Sequence, residues 1–312
     1  MFAYQEPLMK FAMTRSRRLL SYVFILAAGA ASLNAPAAAA LSTLPAADPI
    51  AAAMKSVLDT QVNALVTVKF VMKYEGFGRD GEVETEVPGV MIESTGLVIC
   101  SNLRTGGMSA MLGGRGGSMT ARDIKVLIGK DTEGVEGKLI ARDSELDLAW
   151  VKIDDEKLPK DGKGYAAIDF AKSVNPEIGD SIFTIARLGK FFDRAPFAHD
   201  GRVLGLIKKP RKLIHCKTED YGSPVFNSAG EPIGLVIVQT PSREDMEGGG
   251  QDQERGGLVI LPGAEIGPAT IKAKEAAASG KPVDPPPPPP TEETEGKAPQ
   301  AEPAAPPTPD PK

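Results

Sequence analysis

Short runs of β-branched residues, separated by glycine-rich turns, constrain the fold of this chain more than any other feature of its sequence. Residues 64–72 and 233–238 are such runs, and two more flank a turn at residues 94–96. Rough alternation of apolar and polar residues over such short lengths is typical of half-buried strands. The 312 residues include 33 glycines and are only 5% aromatic, which favours strands and turns over a helical bundle. The pattern therefore predicts an all-β barrel or sandwich.

The spacing of apolar runs predicts more strands in the same region. They cover residues 123–129, 134–141, 165–170 and 177–186. Residues 105–120 are rich in Gly, Met and Ser, and such a segment is predicted to form a mobile surface loop. Its glycines are not expected to cradle a phosphate, because no Gly-Lys-Ser/Thr ending follows them.

Three motifs in this region place polar residues next to strand-like runs. The first is Cys100-Ser-Asn-Leu103, at the end of a predicted strand. The second is Arg142-Asp-Ser-Glu-Leu-Asp-Leu-Ala-Trp-Val-Lys-Ile-Asp154. The third is Lys217-Thr-Glu-Asp-Tyr-Gly-Ser-Pro-Val-Phe-Asn-Ser-Ala-Gly-Glu-Pro-Ile-Gly-Leu-Val-Ile-Val-Gln-Thr240. It predicts a polar loop, a hairpin turn at residues 228–231 and a buried strand.

In this order and at this spacing, the motifs resemble those of trypsin-like serine proteases, especially bacterial HtrA-type enzymes. The resemblance implies a chymotrypsin fold, in which two six-stranded antiparallel β-barrels enclose the active site in a cleft. It assigns the double barrel to residues 62–262, preceded by a linker and short helix at 41–61 and followed by a C-terminal helix at 263–280. Asp48 is expected to cap the first helix. The PDZ domain that HtrA-type proteins usually carry is not expected after Pro262.

The resemblance also indicates that the catalytic residues have been replaced. Leu103 stands at the position of the catalytic histidine, Tyr221 at that of the nucleophilic serine, and Asp147 at that of the triad aspartate. Glu219 replaces a glycine that helps the oxyanion hole to form. A serine is a poor nucleophile without a base, and leucine cannot accept a proton. Asp147 is therefore expected to bind backbone N–H groups in a structural role.

Two other residues are candidates for displaced catalytic groups. Ser223 carries a hydroxyl close to the nucleophile position, and His215 precedes the same loop by a few residues. Ser223 stands two residues from Tyr221, so the family geometry would not aim its hydroxyl at the same point. His215 is more simply explained as an ordinary hydrogen-bonded histidine.

The N-terminus has the parts of a secretory signal peptide. Arg15, Arg17 and Arg18 precede an apolar run over 19–31, and small residues continue to Ala40. Residues 1–40 are thus predicted to direct export to the periplasm or the external medium. The alternative is an uncleaved membrane anchor, although the apolar segment is shorter than the ~20 residues that a spanning helix needs.

The C-terminus cannot bury a hydrophobic core. Residues 281–312 include six consecutive prolines, at 285–290, and are otherwise rich in Pro, Glu, Ala and Thr. This composition predicts an extended, disordered tail that acts as a spacer.

Composition limits the partners and the covalent chemistry of the chain. The net charge of −5 gives no reason to expect nucleic acid as a partner. Two cysteines, Cys100 and Cys216, cannot form a disulfide framework, and the sequence leaves open a single bridge or two free thiols. No cofactor and no metal are expected. The oligomeric state is not indicated by the sequence.

Three functions are consistent with these features. The first is an exported pseudoprotease that binds a protein or peptide without cutting it, because base, nucleophile and oxyanion glycine are lost together. The second is an active serine endopeptidase with displaced groups, such as His215 with Ser223. The third is an unrelated, non-enzymatic all-β protein of the cell envelope.

Overall fold

Twelve antiparallel strands form two closed barrels in the part of the chain that the computed structural model describes. That part comprises residues 48–76, 80–107, 117–160, 162–209, 211–240 and 257–280. The predicted signal peptide and proline-rich tail lie outside these ranges, as does most of the predicted mobile loop. All of the described residues belong to one folded unit.

Barrel one is built from the first six strands. These are β1 (Leu65–Glu75), β2 (Gly81–Glu93), β3 (Leu97–Ser101), β4 (Ser118–Ile128), β5 (Val135–Asp143) and β6 (Leu148–Ile153), in the closed order β1-β2-β3-β6-β5-β4. Side chains on β1 alternate between buried and half-buried, as a barrel wall requires. All five residues of β3 are buried, which explains its continuous apolar sequence.

Barrel two repeats this architecture. Its strands are β7 (Ser181–Arg187), β8 (Pro196–Ile207), β9 (Leu213–Cys216), β10 (Pro224–Asn227), β11 (Pro232–Gln239) and β12 (Gly257–Pro262). They close in the order β10-β11-β12-β9-β8-β7. The predicted all-β double barrel of two six-stranded antiparallel sheets is therefore confirmed.

Within the described residues, two α-helices flank the barrels, as predicted. Helix α1 covers Pro49–Gln61, and the Asp48 carboxylate caps it by accepting a hydrogen bond from Ile50 N at 3.1 Å. Helix α2 covers Gly263–Ala278 and continues without a break through Pro268, which lies in its first turns. It packs against strands of both barrels.

Two sequence predictions about local structure are wrong. Residues 165–170 form no strand: they run as irregular chain along the end of β2 and enter a 3₁₀ helix at Phe170–Lys172, which the Asp169 carboxylate caps through Ala171 N. Ile168 N donates to the carbonyl oxygen of Met91 and the cap satisfies Ala171 N, so Ile168 and Phe170 are buried without joining a strand. The predicted loop also ends early, because Ser118 already belongs to β4 and pairs with Glu75 of β1.

Three side chains connect the barrels through buried or half-buried polar contacts. Arg187 of β7 donates to the carbonyl oxygens of Val62 and Leu65 at 2.8 and 3.1 Å. Arg194 donates to both oxygens of Glu86 at 2.8 and 2.9 Å. Asp147, before β6, accepts a hydrogen bond from Val238 N of β11 at 3.1 Å. The relative position of the barrels is thus fixed by directional bonds as well as by packing.

Helix α2 offers a test of its attachment to barrel one. The Trp150 indole, 1% exposed, donates its Nε1–H to Thr270 Oγ1 at 3.0 Å. Thr270→Val keeps the volume but leaves a buried donor unsatisfied, so we expect it to lower the free energy of unfolding by about 1–3 kcal/mol. Urea denaturation measures this. The control is Lys272→Ala, an exposed position on the same helix, and equal losses in the two variants would contradict the prediction.

Asp147 offers a second test. Both of its carboxylate oxygens accept hydrogen bonds from N–H or O–H donors. Asp147→Asn turns an NH₂ group toward at least one of these donors, and we expect the free energy of unfolding to fall by about 1–3 kcal/mol. Urea denaturation beside Asp200→Asn, an exposed carboxylate, measures the difference. An Asp147→Asn protein as stable as wild type would refute the anchoring role.

Candidate functional site

The loop that carries Leu103 is held rigidly at the end of β3. Leu103 opens a short 3₁₀ helix, Leu103–Thr105. The guanidinium group of Arg142 donates to Asn102 Oδ1 at 3.0 Å and to the carbonyl oxygen of Thr105 at 2.7 Å. Gly107 closes the turn against Asn102, since a Cβ there would lie 2.3 Å from Asn102 Nδ2. The backbone around Leu103 therefore has one well-defined path.

Asp147 lies beside this loop with both oxygens occupied. It is 4% exposed and adopts a left-handed conformation with φ of 53°. Leu103 N donates to Oδ1 at 2.8 Å, and the Ser101 hydroxyl lies 2.9 and 3.0 Å from the two oxygens. Burial raises the pKa of Asp147, while the bonds from Leu103, Val238 and Ser101 act to lower it. The carboxylate binds backbone N–H groups, as the sequence predicted.

The loop that carries Tyr221 is bound to β11 of barrel two. Gly222 N donates to the carbonyl oxygen of Val236 at 2.7 Å, and Val236 N donates to that of Ser223 at 2.9 Å. Gly222 has a φ of 73°, and a Cβ there would lie 3.2 Å from Pro88 Cγ of barrel one. Glycine thus lets this loop pass close to the other barrel.

The amide group of Tyr221 is already used within the loop. Tyr221 N donates to the carbonyl oxygen of Glu219 at 3.1 Å. An oxyanion hole needs backbone N–H groups that are free and aimed at one point. The Glu219 side chain itself is exposed to solvent. In this geometry, residue 221 has no amide hydrogen to offer an oxyanion.

A cation–π contact joins the two loops across the barrels. The Arg104 guanidinium carbon lies 5.0 Å from the centroid of the Tyr221 ring. Arg104 directly follows Leu103, and Leu103 N is bonded to Asp147. The structure therefore brings together the three positions that the sequence compared with a catalytic triad.

Ser223 and His215 are not brought together. Ser223 is 3% exposed, whereas His215 is exposed on β9, opposite Gly205 of β8. No hydrogen bond between the two is found among the described residues. A displaced Ser223–His215 pair has no support in this geometry.

A carboxylate–imidazole pair that the sequence did not reveal lies behind the Tyr221 loop. His199 Nδ1 is 3.1 Å from Asp220 Oδ2, and the Thr184 hydroxyl donates to the same oxygen at 3.0 Å. Thr184 and His199 are opposite one another in the β7–β8 ladder. Only the strand register shows this, since Asp220 is far from both in sequence. The pair holds Asp220, and with it the loop, against barrel two.

A groove of about 300 Å³ lies between the barrels next to this loop. It is lined by residues 65–67 and 86–89 of barrel one and by residues 185–190 and 219–223 of barrel two, with Arg194 and Phe197. Tyr221 and Glu219 therefore border a concave surface to which both barrels contribute.

The two cysteines are free and lie in different barrels. Burial raises the pKa of Cys100 to about 12 and that of Cys216 to about 11. Both thiols therefore stay protonated at neutral pH and are poor nucleophiles. Of the two alternatives that the sequence left open, the structure has two free thiols. Within the described ranges, no three His, Cys, Asp or Glu side chains cluster closely enough to hold a metal ion.

The described part of the chain contains no helix that is both long and apolar enough to span a membrane.

Part of the chain also matches a known protein family. A family model described as a trypsin-like peptidase domain matches residues 89–235. No curated protein matches the chain in sequence. Among solved structures, the chain is similar to the MamO protease domain from Magnetospirillum magneticum in its apo form, with 18% identity and a TM-score of 0.41 over 67% of this chain and 97% of that one.

A second similar structure is Deg5. It shares 16% identity with this chain at a TM-score of 0.45, over 70% of this chain and 92% of its own. The matched family segment runs from β2 to β11 and includes Leu103, Asp147 and Tyr221. The family match and the two closed six-stranded barrels together show that this chain has the trypsin-like serine peptidase fold.

Proposed function

We propose that the protein is an exported, HtrA-type pseudoprotease, which binds a protein or peptide partner at its trypsin-like domain without cleaving it. Serine peptidases need a base beside the triad aspartate to activate the nucleophile. This chain would retain the fold around such a site without the residue types that catalyse peptide hydrolysis.

The observation that carries the proposal is the 2.8 Å hydrogen bond from Leu103 N to Asp147 Oδ1. This bond puts the backbone of Leu103 beside the retained aspartate, which supports the assignment of Leu103 to the position of the catalytic histidine. The chain has only two histidines, and both His199 and His215 belong to barrel two. His199 is bonded to Asp220.

The bond between Tyr221 N and the Glu219 carbonyl supports the same proposal. Loss of one oxyanion donor alone reduces turnover by about 10²–10³ in serine peptidases. Here that loss would add to the absence of a base and of a serine at position 221. Glu219 would also place a negative charge where an anion must be stabilised.

Binding is the activity that the retained architecture supports. The groove between the barrels is intact, and the loop beside it is fixed by Asp220, Gly222 and Ser223. The export signal predicted over residues 1–40 would place the partner in the periplasm or outside the cell.

A fluorophosphonate probe tests for catalytic inactivity. We expect no labelled serine in the purified protein, as read by tandem mass spectrometry, under conditions that label trypsin completely. The reason is that no described histidine is positioned to activate a hydroxyl in the groove. Ser223→Ala serves as the matched control. Labelling of Ser223 that disappears in this variant would overturn the proposal in favour of an active peptidase.

Restoring the site in steps tests the role of Glu219. We expect the triple variant Leu103→His, Glu219→Gly, Tyr221→Ser to hydrolyse fluorescent casein faster than the double variant that keeps Glu219, by about 10²-fold. Glycine at position 219 would allow the backbone there to turn its carbonyl oxygen away from the N–H of residue 221. That N–H could then donate to an oxyanion. The triple variant with Asp147→Asn supplies the background rate. Equal rates for the double and triple variants would show that Glu219 is not an obstacle.

A further inference from the structure

Two adjacent phenylalanines are displayed to solvent at the edge of the groove. Phe191 is 91% exposed and Phe192 is 58% exposed, and their rings meet edge to face with centroids 5.0 Å apart. They lie in the loop of residues 188–195 between β7 and β8, called here the aromatic knuckle. Residues 188–190 of this loop line the groove. Large aromatic side chains exposed in this way are typical of interaction sites.

The aromatic knuckle is rigidly built. Leu188 N donates to the carbonyl oxygen of Ala195 at 2.9 Å, which closes the base of the loop. Asp193 and Arg194 both adopt left-handed conformations, with φ of 53° and 48°. Such conformations are costly for residues other than glycine and persist only where the surroundings impose them.

Barrel one supplies those surroundings. Lys130, which follows β4, forms an ion pair with Asp193. The buried side chain of Arg194 donates to both oxygens of Glu86 on β2. Asp193 and Arg194 are thus both bonded to barrel one, whereas the two phenyl rings remain exposed to solvent. Preorganisation of this kind lowers the entropic cost of binding.

The groove beside the knuckle carries no net charge. Its ionisable lining residues are three acids and three bases: Glu86, Glu219, Asp220, Arg187, Lys190 and Arg194. Four of the six are committed to internal bonds, since Glu86 binds Arg194, Arg187 binds backbone carbonyls and Asp220 binds His199. The two that remain, Lys190 and Glu219, carry opposite charges, so selection of a ligand rests mainly on the apolar surface of the walls and of the knuckle.

We infer that the aromatic knuckle and the groove together form the docking site for an extended, apolar and uncharged segment of a protein partner. This inference rests on the proposed function and names the partner chemistry. An apolar side chain of the segment enters the groove, and its neighbours pack on Phe191 and Phe192. Aromatic anchors of this type carry most of the binding energy in protein interfaces. Attraction to anionic lipids, which strengthens membrane binding, comes from free basic residues. In residues 188–195, all of which are described, Lys190 is the one cation without an ion pair.

Peptide display tests the inference. A phage library of random dodecapeptides is panned against the full-length chain, and an enriched peptide is titrated by fluorescence anisotropy. We expect enrichment of uncharged aliphatic and aromatic residues. We expect Phe191→Ser and Phe192→Ser each to raise the Kd by about tenfold or more. The matched control is Ile271→Ser, which removes an apolar side chain of similar exposure, 61%, from helix α2 and should leave the Kd within about twofold.

The outcomes separate this inference from the proposed function. Enrichment of no peptide would overturn both. A peptide that binds wild type and the phenylalanine variants equally would overturn only the role of the knuckle. A dimer by light scattering that Phe191→Ser converts to a monomer would assign the knuckle to a second copy of the chain. Sedimentation with phosphatidylcholine–phosphatidylglycerol vesicles that is lost in Phe191→Ser would assign it to a lipid surface. Either result would overturn the peptide site.

Discussion

The structure of the site depends on the buried carboxylate of Asp147. A carboxylate removed from water must be surrounded by donors, and here Ser101, Leu103 and Val238 supply them. These residues belong to β3, to the loop that follows it and to β11 of the other barrel. One side chain therefore fixes the path of the Leu103 loop and its position relative to barrel two. A serine peptidase uses such an aspartate to orient its histidine, but the geometric constraint remains when the histidine is absent.

This constraint explains how the positions compared with a catalytic triad can stay together without catalytic residue types. Leu103 needs only its backbone N–H to bond Asp147, so its side chain is free to vary. Tyr221 is likewise held by the backbone bonds of Gly222 and Ser223 to Val236. The Arg104 guanidinium group then links the two loops through its contact with the Tyr221 ring. Backbone hydrogen bonds thus hold the two loops in position, whereas the side chains at positions 103 and 221 determine which reactions are possible there.

The sequence predicted those parts of the fold that local pattern determines. The strands follow from periodicity and the cap at Asp48 from capping preference. The backbone bonds of Asp147 follow from the tendency of a loop carboxylate to bind nearby N–H groups. The run at 165–170 is strand-like in sequence but forms no strand, because Ile168 and Phe170 are buried beside β2 without joining the ladder. The His199–Asp220 and Glu86–Arg194 pairs could not be predicted, since strand register and the meeting of two barrels bring them together.

Groups that hold the fold together are also distinct from groups that can contact a ligand in the groove. Four of the six charged groups that line the groove are bonded to other side chains or to the backbone, and these bonds help to fix the barrels and the loop of residues 188–195 in place. Because those charges are already paired within the protein, they contribute little to the selection of a ligand. The phenyl rings of Phe191 and Phe192 take no part in the core, so their exposure is not a by-product of folding requirements. An apolar surface on a rigid polar frame gives affinity through desolvation without a large ordering cost. The peptide binding that we propose would therefore not depend on the residue types at positions 103, 147 and 221.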